Sequence, residues 1–151
     1  MTVTIATLGY PRIGPRRELK FALEKFWSGT LGEADLQATA AALRSAAWTR
    51  QRELGADWLP SNDFSLYDHV LDTSLMLGAV PARYRAADGQ ADLATLFAMA
   101  RGTQGVSVCE HGHSHGGTGL PAQEMTKWFD TNYHYIVPEF SVATAFRLDA
   151  S

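Results

Sequence analysis

Four potential metal ligands alternate with other residues in one short, glycine-rich segment. They are Cys109, His111, His113 and His115. Residues two apart in an extended segment point to the same side, so these donors could face one ion. Thiolate and imidazole groups of this kind suit zinc, nickel or copper. The alternative is a disordered loop that binds metal adventitiously, because built metal sites usually draw on ligands held by further contacts.

A second candidate site is a basic cluster in a loop rich in glycine and proline. Arg12, Arg16, Arg17 and Lys20 occupy this loop and the first turn of a predicted helix. Cations at a helix N-terminus oppose the helix dipole by roughly 0.3–1 kcal/mol each, and a bound anion would reverse that penalty. Arginine can also hold a carboxylate with two hydrogen bonds. The alternative is a set of solvated charges beside nearby glutamates.

Composition narrows the classes of function. The chain has 151 residues, of which 46% are hydrophobic and 19% charged, with a net charge of −3, as in ordinary globular domains. The absence of a basic excess argues against nucleic-acid and anionic-membrane binding. A single cysteine excludes an intramolecular disulfide and favours a reducing cytoplasm. Neither a signal peptide nor an apolar run of the ~20 residues needed to span a bilayer is predicted.

The elements that position these groups follow from hydrophobic periodicity and turn residues. Helices are predicted at 16–27, from a Thr30 cap to about 54, from an Asp63 cap through 64–77, and around 93–100. Strands are predicted at Val3–Leu8, 57–59, 133–137 and 142–148. This order indicates one α/β domain, 1–151, with parallel strands and a flexible Gly/His-rich loop at 102–119. Three or four strands cannot close an eight-stranded barrel, so open sheet edges would invite a partner chain.

Two further histidines stand outside these sites. His69 falls on a predicted helix and His134 on a predicted strand. Neither has a recognisable serine or cysteine nucleophile as a partner, so a structural role is predicted for both.

Three long blocks carry a family resemblance. They are TLGYPRIG at 7–14 running into RRELK at 16–20, DFSLYDHVL at 63–71, and EMTKWFDTNYHY at 124–135. Each is similar to a signature stretch of the cobalamin-independent methionine synthase family, and they follow the family's order over nearly the whole chain. The resemblance covers the opening part of the family's N-terminal barrel.

The resemblance implies both a fold and a function. The family moves a methyl group from 5-methyltetrahydrofolate polyglutamate to homocysteine, using two TIM-type barrels and zinc. An open, partial TIM-type (β/α) barrel is therefore expected, with folate contacts at Arg17, Glu18, Leu19, Lys20 and Lys127. The family's zinc ligands and homocysteine-binding residues belong to its second barrel and have no counterpart in this sequence, so no catalytic residue is assigned.

The expected role is thus the folate-side portion of a methyltransferase, inactive alone. Its expected partners are 5-methyltetrahydrofolate polyglutamate and a second copy or chain that completes the barrel. Two alternatives remain open: a standalone metal-binding module that uses the Cys/His loop, and a degenerate paralogue without activity.

Overall fold

The computed structural model describes residues 3–85, 91–103, 105–108, 114–117 and 119–146, with the backbone alone at 105–108 and 114–117. The chain divides into two compact units, Met1–Leu66 and Tyr67–Ser151. Each unit buries its own apolar side chains. None of the helices in the described ranges combines the length and apolar character that a bilayer crossing needs.

Two helices form nearly half of the first unit. Helix α1 spans Glu18–Trp27 and helix α2 spans Glu33–Glu53. They pack against each other and bury apolar residues at helical spacing, namely Leu19, Ala22 and Leu23 on α1 and Leu36 and Ala40 on α2. The predicted helices are therefore confirmed, with later starts than the sequence indicates.

Both predicted capping residues have other roles. Helix α2 follows Gly32 without a side-chain cap, while the Thr30 hydroxyl donates to the carbonyl oxygen of Lys25, 3.1 Å away, at the end of α1. The Asp63 carboxylate accepts a hydrogen bond from the backbone amide of Tyr10 at 3.0 Å. Because Asp63 serves the Gly/Pro loop, the third helix does not begin there.

Among the residues that the structure describes, the first predicted strand makes one parallel bridge, between Ala6 and Trp58. The backbone amides of Asp57 and Trp58 both donate to the carbonyl oxygen of Ile5, at 2.9 and 3.1 Å. Val3 and Leu8 remain exposed on either side of the bridge. The parallel pairing predicted for this unit is therefore reduced to one point.

The second unit combines short helices with two hairpins. Its helices are α3, His69–Met76, and α4, Leu93–Arg101, with a 3-10 turn at Ala82–Tyr84. Its strands are β1, Gly105–Val108; β2, Ser114–Gly117; β3, Met125–Lys127; and β4, His134–Ile136. Strands β1 and β2 lie inside the segment predicted as a loop. No strand occupies 142–146, the described part of the last predicted strand, because a turn interrupts it.

Both sheets of the second unit are two-stranded and antiparallel. The prediction of parallel strands is therefore wrong for β1 to β4, whereas the bridge between Ala6 and Trp58 in the first unit is parallel. Hairpins need only a short connection, whereas parallel pairing needs a long crossover, and each pair here is joined by a few residues. The described chain is a mixed helix and sheet structure, open rather than closed.

A buried carboxylate joins α3 to β4. Asp68, 4% exposed, caps α3 by accepting hydrogen bonds at Oδ1 from the amides of Val70 and Leu71, at 2.8 and 3.1 Å. Its Oδ2 accepts the amide of Ile136 on β4, at 3.2 Å. One side chain thus satisfies three backbone donors from two elements.

Candidate functional site

The basic loop folds back tightly onto the start of α1. Gly14 has a φ of 85° and Arg17, the residue before α1, has a φ of 64°. The Arg17 amide donates to the carbonyl oxygen of Gly14, and the Leu19 amide to that of Ile13, both at 3.1 Å. Leu19 is fully buried, so it anchors this turn to the core.

The carboxylate of Glu18 already occupies the first turn of α1. Its oxygens accept hydrogen bonds from the backbone amide of Arg16 at 3.0 Å and from Arg16 Nε at 3.1 Å. A hydrogen bond from its own backbone amide, followed by the contacts with Arg16, lowers the pKa of the Glu18 carboxyl. A Cβ added at Gly14 would lie 2.3 Å from Glu18 Oε2, so glycine leaves room for this carboxylate.

The basic cluster divides into structural and available cations. Arg12 donates to the backbone carbonyl oxygen of Ser65 at 3.0 Å, which ties the loop to the end of the unit. Lys20 Nζ lies 3.3 Å from Glu24 Oε1, in an exposed pair of small energetic value. Arg17 is exposed, and within the described residues its guanidinium has no hydrogen bond or ion pair. Within the basic cluster, Arg17 is therefore the cation most available to an external anion.

Lys127 lies at the end of β3, in the second unit. It is exposed and stands opposite the exposed His134 of β4. The neighbouring Trp128 ring makes edge contacts with Phe129 and Tyr135, with centroids 5.2 and 5.6 Å apart. The His134 side chain is exposed and forms no hydrogen bond, ion pair or ring contact with a described residue, and the structural role predicted for it stays a prediction.

Comparison with known proteins assigns the family. The sequence profile of the cobalamin-independent synthase N-terminal domain matches residues 4–151. The chain belongs to this family. The resemblance stated from the three sequence blocks is thereby confirmed.

Relatives of this synthase-family chain share the name 5-methyltetrahydropteroyltriglutamate–homocysteine methyltransferase. The protein of Caulobacter vibrioides is 60% identical over an alignment that covers 100% of this chain and 20% of the relative. That of Rhodopseudomonas palustris is 61% identical, covering 97% of this chain and 19% of the relative. The protein of Mesorhizobium japonicum is 60% identical over an alignment that covers 97% of this chain and 20% of the relative. The chain spans about a fifth of the length of these relatives.

The folate contacts implied by the family divide between the two units. Arg17, Glu18, Leu19 and Lys20 lie together at the start of α1, whereas Lys127 lies on β3. Sequence reasoning missed Asp68 as the anchor of the hairpin that carries Lys127. The signal was present, because an aspartate directly before a helical apolar pattern is a strong capping pattern.

The Cys/His segment of this synthase-family chain falls mostly outside the described residues. Cys109, His111 and His113 lie there, while the backbone of His115 belongs to β2, opposite Ser107. Across the part of the chain that the structure describes, no three His, Cys, Asp or Glu side chains gather as metal ligands. The described residues therefore do not fit the family's zinc, and metal binding at 109–115 stays a prediction.

Proposed function

We propose that this chain supplies the folate side of methyl transfer from 5-methyltetrahydropteroyltriglutamate to homocysteine. Its role is to bind the carboxylates of the triglutamate tail through exposed cations. The observation that carries the proposal is Arg17, exposed at the start of α1 without an anionic partner among the described residues. The name shared by relatives at about 60% identity supports the choice of ligand.

Each residue of the α1 turn would contribute differently. The Arg17 guanidinium would hold one carboxylate with two parallel hydrogen bonds. Lys20 would exchange its exposed pairing with Glu24 for a ligand carboxylate, at little cost. Glu18 would position the turn by holding Arg16. Leu19 is fully buried and its amide already donates to Ile13, so it would anchor the turn and not contact the ligand. Lys127 would give a further cationic contact on β3.

We infer that these 151 residues alone do not complete the reaction. Homocysteine must react as a thiolate, and a metal ion such as the family's zinc supplies the charge that stabilises it. Among the described residues no group of three suitable side chains could hold that ion. The proposal therefore leaves homocysteine and zinc to polypeptide beyond this segment, as the family resemblance implies.

Replacing Arg17 with asparagine is expected to weaken binding of 5-methyltetrahydropteroyltriglutamate about tenfold, the effect of losing one charge-assisted contact. Asparagine removes the charge and tolerates the left-handed backbone of this position, so the turn should be retained. Isothermal titration calorimetry measures the change, and added salt should weaken binding by the parent chain.

The matched control is Arg52→Asn, which removes another exposed arginine, in the last turn of α2. Its affinity should equal that of the parent chain. Absence of binding by the parent chain at millimolar ligand would refute the proposed function and favour a degenerate paralogue. Equal affinities of the parent chain and Arg17→Asn would exclude Arg17 from the site.

We further propose that the first unit is the opening of a TIM-type barrel that other polypeptide completes. Its first strand segment, two helices and a second segment bridging parallel to the first follow the order of a parallel crossover. Val3 and Leu8 are 80% and 103% exposed, and Trp58 is 69% exposed. Strands that are buried on both faces carry apolar side chains on both faces. The strand segments of this unit have such side chains, but these are exposed to solvent.

This proposal predicts self-association, or binding of a chain that carries the rest of the barrel. Sedimentation velocity over a concentration series should show reversible association of the parent chain. Leu8→Lys should reduce it, because a charge at an exposed edge opposes strand pairing. Lysine replacement of Gln37, exposed on α2, is the matched control and should leave association unchanged. The proposal would be contradicted if the parent chain stayed monomeric and also failed to bind the part of a relative that this chain does not cover.

A further inference from the structure

The register of the β3–β4 hairpin places Lys127 directly opposite His134. The Trp128 amide donates to the carbonyl oxygen of Tyr133 at 2.7 Å, so that pair is hydrogen-bonded. Hydrogen-bonded and non-hydrogen-bonded pairs alternate along an antiparallel ladder. Lys127 and His134 therefore form a non-hydrogen-bonded pair, the arrangement in which facing side chains come closest.

Both side chains of this pair are nitrogen donors that lack an anionic partner. Lys127 and His134 are exposed, and neither forms a hydrogen bond or ion pair with a described residue. The ammonium group carries a positive charge, and an imidazole donates an N–H whether it is neutral or protonated. Two adjacent donors without an acceptor match the two oxygens of one carboxylate.

One contact from outside the hairpin and one within it hold the strands that present this pair. The outward amide of Ile136 donates to the buried Asp68 carboxylate at 3.2 Å. Tyr135, on the face of β4 opposite to His134, contacts the Trp128 ring edge-on. A ligand group that binds a site already held in place loses less free energy to ordering that site.

We propose that His134 binds the polyglutamate tail together with Lys127, both donating to one carboxylate. This inference rests on the proposed function, to which it adds a second ligand-binding residue on the hairpin. The ligand class is an oligocarboxylate, recognised by its charge and not by its pterin.

The test uses the 151-residue chain with two probes, a γ-linked triglutamate peptide and 5-methyltetrahydropteroyltriglutamate. His134→Val keeps a strand-forming residue but removes the donor, and it should weaken binding of both probes about two- to fivefold, the range for exposed charged contacts. His134→Lys should retain affinity, and His134→Glu should lose more than His134→Val. His134→Val should reduce the affinity less in the Lys127→Gln variant than in the parent chain, because both side chains contact the same carboxylate.

The matched control is His69→Val, which removes another exposed histidine, at the start of α3. It should bind both probes as the parent chain does, and circular dichroism should show equal helix content in all variants. If the parent chain binds the triglutamate folate, and His134→Val and His134→Glu both bind it with the affinity of the parent chain, this inference alone is overturned. If the parent chain binds neither probe, the proposed function fails and the inference fails with it.

Discussion

Replacing Asp68 with alanine is expected to destabilise the chain by about 2–4 kcal/mol. The helix cap of α3 accounts for about 0.5–2 kcal/mol of this cost. The remainder comes from the amide of Ile136, which would lose its acceptor in a buried position, at about 1–3 kcal/mol. Urea unfolding followed by circular dichroism measures the difference. The hairpin that carries Lys127 should also loosen, which hydrogen exchange at the Ile136 amide would detect.

Asp92→Ala is the matched control for this substitution. Asp92 caps α4 by accepting hydrogen bonds from the amide and hydroxyl of Thr95, both at 2.8 Å, and these contacts lower the pKa of its carboxyl. Both contacts are local to the helix start, so the expected cost is only that of a cap, about 1 kcal/mol. Equal costs for the two aspartates would show that the hydrogen bond from the Ile136 amide to Asp68 adds nothing to stability.

Replacing Gly102 with alanine is expected to cost about 2–5 kcal/mol. Gly102 follows α4 with a φ of 74° and a ψ of 173°. For a residue with a side chain, this backbone conformation costs about 1–3 kcal/mol. An added Cβ would lie 2.6 Å from the carbonyl oxygen of Leu120 and 2.9 Å from the amide nitrogen of Ala122. Backbone atoms cannot rotate away, so the segment before β3 must shift, at a further 1–3 kcal/mol or so.

Gly29→Ala separates the two causes. Gly29 also has a φ of 74°, but no atom lies within 4 Å of its added Cβ. Its substitution should therefore show the backbone strain alone, about 1–2 kcal/mol, in the same unfolding experiment. If Gly102→Ala costs no more than Gly29→Ala, the segment from Leu120 to Ala122 yields freely and the close packing has no energetic weight.

The helices could be predicted where their periodicity was strong, and their ends could not. Leu19, Ala22 and Leu23 mark the buried face of α1 by spacing alone. Thr30 and Asp63 fit capping patterns, yet each hydrogen-bonds another segment. A capping motif reports only local preference, whereas an aspartate side chain goes to whichever unsatisfied amide the fold brings near it.

The strands were predicted less well for a related reason. Strand direction depends on partners distant in sequence, and alternation within one strand does not identify them. Val3–Leu8 has the composition of a strand buried on both faces, but among the described residues its strand pairing is limited to the bridge between Ala6 and Trp58. The short antiparallel pair of β3 and β4 was half predicted, because only the aromatic run of β4 has clear strand character.

The sequence by itself determined the family, whose N-terminal domain profile matches residues 4–151. The residues that the resemblance implies as folate contacts stay a prediction. Only the tertiary structure decided how those residues are held. It showed that Glu18 occupies the first turn of α1, that Arg12 is used structurally, and that Arg17 has no anionic partner among the described residues. It also paired Lys127 with His134. The sequence gives the type of each residue. Whether its side chain can bind a ligand depends on whether neighbours in the fold already form hydrogen bonds with it.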